Sequence, residues 1–364
     1  MKVLQLANMN VRSGVASFVM NYYRHINRSK IQFDFLSCAL SANNYADEIK
    51  RLGGCIFDAP NYKKYFFRYI RFINKVMADG NYDIIHCNQF LLSIVALILA
   101  IKNGIKTRII HSHNSSISSG AKRLLVLSAR TIWRFLATDF YACSEKAAFF
   151  LFGQNNKYTM VKYAIDTDKY KFNQVVRNKM RNELRLSSSA FVLGYIARFV
   201  KEKNHFFLLE VFESVLQENK NAWLLLVGDG QLKEAVEKRA VDLGLAEKII
   251  FYGTSEQAGD LYSAMDVFVF PSIFEGLPVV GIEAQCAGLP VIASRFITSE
   301  MAITDLVTWL DLKDGAAKWA KKILEYKLPL ERKDTSRIIT EQGYNINEEC
   351  KKLEMAYFRL AHIV

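Results

Sequence analysis

Two glutamates, Glu275 and Glu283, have the residue type, spacing and neighbours to do chemistry. Glu275 stands in Pro271-Ser272-Ile273-Phe274-Glu275-Gly276-Leu277-Pro278, directly after the apolar run Val267–Phe270. Glu283 falls about one turn inside a helix expected to open near Val279. A helix start offers free N–H groups and the positive end of a dipole, both suited to phosphate or sugar oxygens. Carboxylates are good acceptors for sugar and ribose hydroxyls. The pair could equally do no more than stabilise the helix start, and a second constellation separates these readings. In the stretch Gly194 to Asn204, Arg198 leaves a strand end and Lys203 lies in the first turn of the next expected helix. The dipole opposes a cation there, and a bound diphosphate would reverse that cost. Arginine offers a fork to phosphate oxygens and lysine a point charge. Two solvated surface charges explain the placement less well. A third element, Gly228-Asp229-Gly230, ends another apolar run. Glycines there let a backbone approach a ligand closely, although strand-to-helix turns use such residues routinely.

Other constellations are weaker. His111 and His113 lie two apart and share a face if the strand continues. With His86 they form a nominal metal set, but no carboxylate or thiolate group completes it, so His113 reads as a hydrogen-bonding residue and no metal is expected. Asp166-Thr167-Asp168 is a D-x-D in a linker and reads as structural. A dinucleotide fingerprint would need G-x-G-x-x-G after the first strand, and Leu6 to Gly14 does not supply it.

The elements that must hold these residues follow from periodicity. In the first half, Val3–Ala7, Phe33–Ser37, Ile84–Cys87, Arg108–His111 and Phe140–Ala142 read as buried strands. Ala16–His25, Tyr62–Met77 and Lys122–Leu136 read as helices between them, and Phe90–Ile101 as a buried helix too short to span a bilayer. A break at Val161–Phe172 reads as a linker. A second series has strands at Val192–Ala197, Ala222–Val227, Lys248–Tyr252, Val267–Phe270 and Pro290–Ala293. Its helices fall at about Glu202–Asn219, Leu232–Leu243 and Val279–Cys286. This is βαβ order twice over, predicting α/β architecture with two doubly wound, Rossmann-like domains, 1–165 and 166–345, facing a central cleft. Residues 346–364 are expected to form a helix returning to the first domain.

Together these residues resemble glycosyltransferase family 4, of GT-B fold, and bacterial capsular and exopolysaccharide enzymes within it. That family carries G-x-x-(A/G)-R-φ-x-x-x-K, a G-D/E-G turn and E-x7-E within P-S-x-x-E-G-x-P. Here these are Gly194 to Lys203, Gly228 to Gly230, and Glu275 to Glu283. In the first half, Arg12-Ser13-Gly14-Val15 resembles the loop that approaches the donor phosphates, with Ser13 where the family has glycine. Ile109 to Ser115 resembles the segment whose second histidine, His113, reaches the transferred sugar. Ile303-Thr304-Asp305-Leu306-Val307 adds to the capsular likeness, while Pro290 to Glu300 lacks the family's glycine pair. The resemblance implies that Arg198 and Lys203 hold the donor diphosphate and that Glu283 holds the ribose. It implies that Glu275, with the backbone of Gly276, Leu277, Pro278 and Val279, holds the sugar. Gly14, Gly228 and Asp229 complete the implied donor site, and His113, Glu275, Arg198 and Lys203 the catalytic set.

Charge points to where such a protein works. The net formal charge is +12, and the first 171 residues hold 24 Lys or Arg against 10 Asp or Glu. Such a basic half suits an anionic partner, with a merely solubilising surface as the bland alternative. Along Tyr62–Met77, Lys64, Arg68, Arg71 and Lys75 recur on one face and Phe66, Tyr69, Ile73 and Met77 on another. This is either a membrane-surface helix or an ordinary helix with a solvated basic face. Six scattered cysteines without C-x-x-C spacing, and no visible secretory signal, fit a reducing, cytoplasmic setting. The expected activity is retaining, metal-independent transfer of a hexose or N-acetylhexosamine from a nucleotide diphosphate sugar, UDP-linked by preference. The expected acceptor is a lipid-linked glycan at the inner face of the cytoplasmic membrane, with no cofactor and no nucleic acid. The alternatives are a sugar-nucleotide epimerase of the same fold and a non-catalytic basic binding protein.

Overall fold

Apolar runs such as Phe191-Val192-Leu193 and Val267-Phe268-Val269-Phe270 leave no polar face, so their strands must be covered on both sides. The computed structural model does this twice. It describes residues 1–10, 13–114, 120–154, 157–255, 258–326, 328 and 331–361, with backbone alone over 120–127. Contacts divide the chain into one unit of Met1–Ala164 with Ile346–Val364 and a second of Ile165–Asn345.

The first unit carries β1 (Lys2–Leu6), β2 (Gln32–Cys38), β3 (Ile56–Ala59), β4 (Ile84–Cys87), β5 (Thr107–Ser112), β6 (Asp139–Ala142) and β7 (Thr159–Met160). They pair in the order β3-β2-β1-β4-β5-β6-β7, every neighbour parallel. One face is covered by the helices Phe66–Gly80, Leu91–Lys102 and Gly120–Leu136, whose Tyr69, Leu97 and Trp133 share a core with Leu4, Ile85 and Ile110. The other face takes Gly14–His25 and the C-terminal helix Ile346–Leu360, with Tyr22 and Tyr357 packed over Val3, Phe33 and Ile109. The last helix is tied down at its end by Thr107 Oγ1 donating to the Leu360 carbonyl at 3.2 Å.

The second unit carries β8 (Phe191–Ile196), β9 (Ala222–Val227), β10 (Ile249–Gly253), β11 (Val267–Phe270), β12 (Val291–Ser294) and β13 (Val307–Leu310). Their order is β10-β9-β8-β11-β12-β13, again parallel. The order reverses between β8 and β11 here, and between β1 and β4 in the first sheet. Ligands of doubly wound sheets bind outside the carboxyl ends of the strands at such a point.

Three expectations change. The expected helix Glu202–Asn219 is a 3-10 turn, Lys201–Lys203, followed by the helix His205–Glu218, with Asn204 between them in a left-handed conformation (φ 55°). Lys203 therefore precedes the α-helix instead of lying in its first turn. The helix expected at Phe90–Ile101 forms at Leu91–Lys102, but only one side of it is buried: Ala96, Leu97 and Ala100 are inside, while Leu91, Ile98 and Ile101 face outward. Lastly, the apolar face of the basic helix is spent inside the protein. Tyr69, Ile73 and Met77 are in the core, and of that expected face only Phe66 is exposed.

Candidate functional site

The second unit gathers its chemistry where β8, β9 and β11 end. After β8 the chain passes Ala197 and Arg198, and after β9 it passes Gly228-Asp229-Gly230. The two turns are laced together by the Ala197 N–H donating to the Val227 carbonyl at 2.9 Å and the Phe199 N–H to the Asp229 carbonyl at 3.0 Å. Gly228 (φ 142°) and Gly230 (φ 158°) run so close to this neighbour that an added Cβ would lie 2.0 Å from the Ala197 carbonyl oxygen and 2.6 Å from that of Phe199. The adjacent turn by itself requires glycine at both positions, whatever further part they play in ligand approach.

The Glu275 loop is bolted to the β8 turn. The Ile273 N–H donates to the Glu202 carbonyl at 2.8 Å, and Asn204 Nδ2 to that of Pro271 at 3.2 Å. Lys203 Nζ then forms a short ion pair with Glu275 Oε1, which also accepts from Ser272 Oγ at 2.8 Å. Tyr195 shares a 2.8 Å hydrogen bond with Ser272 and donates to the Lys203 carbonyl at 3.1 Å. Lys203 and Glu275 are thus neutralised by each other. Arg198 is exposed and, among the described residues, has no acidic partner.

Glu283 sits apart from that pair. It lies on the helix Val279–Cys286, whose N-cap, Pro278, offers no side-chain acceptor, so first-turn N–H groups are not taken by a cap. Tyr262 Oη donates to Glu283 Oε2 at 2.8 Å, and Tyr170 supplies a second hydroxyl bond. Burial raises the carboxyl pKa above its ordinary 4.5, against the lowering effect of both hydroxyls and of Lys169. Tyr262, Tyr170, Ser272 and Tyr195 carry no sequence signal of their own, except that Ser272 belongs to the Pro271–Pro278 motif.

In the first unit, His113 follows β5 and is held by two partners. Its Nε2 is 2.8 Å from Asn88 Oδ1 and its Nδ1 3.2 Å from Tyr163 Oη. Asn88 Nδ2 donates to Gln5 Oε1 at 3.0 Å, which makes Oδ1 the acceptor and places the imidazole proton on Nε2. Gln5 Nε2 donates to Tyr357 Oη at 3.3 Å, and Tyr357 Oη is hydrogen-bonded to His86 Nδ1 at 2.6 Å. His86 Nε2 meets His111 Nδ1 at 3.0 Å, and His111 Nε2 has no partner among the described residues. Burial pushes His86 and His113 down to about 3, and His111 well below its ordinary value, so all three are neutral at neutral pH. The network reaches from the ends of β1, β4 and β5 to the C-terminal helix, and of its members only the histidines were candidates from sequence.

Gly14 opens its helix behind Ser13, which caps it by accepting from the Ala16 N–H at 3.4 Å. The serine that replaces a family glycine thus has a local task, whereas Arg12 and Ser115 lie outside the described residues. Asp166 caps the short helix Thr167–Tyr170 by accepting from the Lys169 N–H at 3.2 Å, consistent with a structural role. Among the described residues, no three His, Cys, Asp or Glu side chains are grouped to hold a metal ion. Among the same residues, no helix is long and apolar enough to cross a membrane.

Comparison with known proteins then supplies the family. A model described as glycosyl transferases group 1 matches residues 176–344, and one described as glycosyltransferase family 4 matches residues 12–169. EpsF of Bacillus subtilis (strain 168), which carries a glycosyltransferase name, is 35% identical over 331 residues, covering 87% of this chain and 85% of its own. The capsular polysaccharide biosynthesis glycosyltransferase CapH of Staphylococcus aureus is 25% identical over 299 residues, covering 81% of each chain. Among solved structures, Anabaena HepE in complex with UDP superposes with a TM-score of 0.79 at 17% identity, over 98% of this chain and 99% of its own. The two parallel-sheet domains are those of the GT-B fold.

Proposed function

The chain belongs to the glycosyl transferases of group 1, and on that premise we propose that it moves a hexose or N-acetylhexosamine from a UDP-sugar to a hydroxyl of a lipid-linked glycan, in cell-surface polysaccharide synthesis. The transfer is retaining and needs no metal. The observation that carries this reading is the grouping of Arg198, Lys203 and Glu275 at the carboxyl ends of β8 and β11, beside the uncapped helix that bears Glu283. Cleavage of the glycosidic bond leaves negative charge on the diphosphate. An exposed guanidinium, an ammonium and helix-start N–H groups fixed in advance stabilise that charge in place of a metal. Glu283, oriented by the hydroxyls of Tyr262 and Tyr170, accepts ribose hydroxyls, and Glu275 serves the sugar. His113, neutral by burial, is a hydrogen-bonding group and not a proton donor to the leaving group.

UDP as donor is supported by HepE, whose structure holds UDP, and surface polysaccharide synthesis by the name of CapH. The exposed Lys64, Arg68, Arg71 and Lys75 support peripheral attachment to an anionic membrane, where a lipid-linked acceptor would be met. The test is incubation with UDP-sugars and a polyprenyl-diphosphate-linked glycan in excess EDTA. The expected product is an extended glycolipid with the donor's anomeric configuration. Absence of both transfer and UDP release with every nucleotide sugar would overturn the proposal. Activity lost in EDTA and restored by Mn2+ would overturn its metal-independent part.

A further inference from the structure

The basic helix Phe66–Gly80 cannot itself insert a broad apolar face into anything, because Tyr69, Ile73, Val76 and Met77 are buried against the sheet. Its neighbour can. Along Leu91–Lys102 the inner positions Ala96, Leu97 and Ala100 are buried, while Leu91, Ile98 and Ile101 point outward at helical spacing, with Ile94 and Val95 half-buried between them. Ile98 is 50% exposed. Water does not favour such a ridge on a protein surface.

The two helices that flank it complete the pattern. All three cover the same sheet face, and Leu91–Lys102 contacts both Phe66–Gly80 and Gly120–Leu136. Asn103 Nδ2 donates to Asn74 Oδ1 at 3.1 Å, which sets the turn of Ile101 and Lys102 beside that of Lys75. From the flanks project Phe67, 83% exposed, and Phe135, 81% exposed, with Ile132 one turn before it. Charge on this layer is mostly of one sign: among the described side chains the three helices hold six Lys or Arg and a single acid, Asp79. Among the described residues, Lys63, Lys64, Arg68, Arg71 and Lys75 make no ion pair, and Lys64 and Arg68 lie over the ring of exposed Tyr65. Predominantly basic flanks around an aliphatic ridge match an anionic bilayer, with phosphate headgroups for the charges and the acyl boundary for the ridge. A protein partner would have to be both acidic and apolar along the same strip.

We propose that the outer face of these three helices is a membrane-docking surface, with the ridge Leu91–Ile98–Ile101 inserting at the acyl boundary and the flanking basic residues gripping anionic headgroups. This deepens the peripheral attachment proposed above and rests on it. It replaces an attachment that salt would abolish with one that has two separable parts. Coulombic attraction fades as the Debye length falls to about 3 Å at 1 M salt. Burial of aliphatic surface does not weaken with salt.

The test is co-sedimentation of the full chain with vesicles of equal parts phosphatidylglycerol and phosphatidylcholine, at low salt and at about 1 M salt. The parent is expected to pellet in both. Arg68→Gln with Arg71→Gln and Lys75→Gln is expected to weaken low-salt binding by about fivefold per residue. Ile98→Gln with Ile101→Gln is expected to lose the high-salt fraction by about tenfold or more. Ile98→Trp, which keeps the site apolar, is expected to shift its fluorescence to the blue on vesicles and to be quenched by brominated lipid. UDP binding should be unchanged in all three variants. A failure of UDP binding in the parent would therefore strike the proposed activity and leave docking standing. Equal high-salt pelleting of the Ile98→Gln, Ile101→Gln variant and the parent overturns the inference, as does an indole signal in the Ile98→Trp variant that ignores brominated lipid. Parent self-association in solution that the paired Gln changes abolish would assign the ridge to a second copy of the chain instead.

Discussion

The Lys203–Glu275 pair makes a prediction that separates binding from stability. The two side chains are 18% and 10% exposed, so the pair is largely but not wholly out of water. Removing one partner of a fully buried pair costs about 3–5 kcal/mol, because a charge is left uncompensated. Here water reaches Lys203, and Ser272 still donates to Glu275, so Lys203→Met should cost about 2–3 kcal/mol. Glu275→Gln keeps an acceptor for Ser272 and should cost about 1–2 kcal/mol. The double change should fall short of the sum by about 1–2 kcal/mol, the ordinary coupling of residues in contact. At about 2–4 °C per kcal/mol for a unit of this size, these are readable melting shifts. Ligand binding should go the other way. A diphosphate must draw Lys203 away from Glu275, so Glu275→Gln should bind free UDP as well as the parent or up to about fivefold tighter. Lys203→Met should bind it about tenfold more weakly, the net of a charged hydrogen bond gained and an ion pair surrendered. Transfer should fall in both. Calorimetry with UDP alone, beside melting of the two single variants and the double, tests every part. If Glu275→Gln abolishes UDP binding, the division between phosphate and sugar is wrong. If the melting shifts simply add, the pair has no energetic standing.

Arg198→Ala should lower turnover by about 10²–10³ with melting unchanged, since the guanidinium is exposed and has no acidic partner among the described residues; a large loss of stability with near-normal turnover would contradict this. Glu283 gives a pH signature. Its folded pKa is raised, so the folded state takes up the proton more readily than the unfolded one, and this group's contribution to stability declines as pH rises from 4.5 through the raised value. The ionised form accepts ribose hydroxyls, so UDP affinity should fall as pH drops through the same window. Tyr262→Phe removes a bond that holds the pKa down, and should move that acid limb to higher pH for UDP while leaving a dideoxyribose analogue unaffected; calorimetry across pH that shows equal loss for both ligands would assign Tyr262 a purely structural role. Gly228→Ala should destabilise by well over 1 kcal/mol, because an alanine at φ 142° would also drive its Cβ onto the Ala197 carbonyl; unchanged thermal melting would refute that account.

Much of this was legible from one chain because the informative segments are fully buried or sharply punctuated. Val267–Phe270 and Val279–Cys286 fall where read, the first as an unbroken apolar run and the second behind a proline. The strands left unread, Ile56–Ala59, Thr159–Met160 and Val307–Leu310, are short edge or near-edge strands with partly exposed residues, so neither a continuous run nor clean alternation marks them. The break after Lys203 was invisible because it depends on Asn204 adopting φ 55°, which a helical pattern on either side conceals.

Candidate residues could be read by type and spacing, but their partners could not. Lys203 and Glu275 were read as two independent ligands, a cation for phosphate and an acceptor for sugar. Folding shows each occupied by the other across 72 positions of chain, a distance at which no periodicity speaks. Glu283, in contrast, is set by hydroxyls instead of by a cation, with Tyr262 brought to it from 21 positions away. A charged pair that must part and a carboxylate already oriented place different demands on a ligand. The first exchanges one ionic partner for another and can discriminate diphosphate from a neutral group, while the second gives up no existing ionic contact and can add affinity outright. For the reading proposed here, recognition of the ribose should precede, energetically, the opening of Lys203 from Glu275. UDP should therefore gain more from its uridine part in this chain than a free inorganic diphosphate could gain from Lys203 and Arg198 alone.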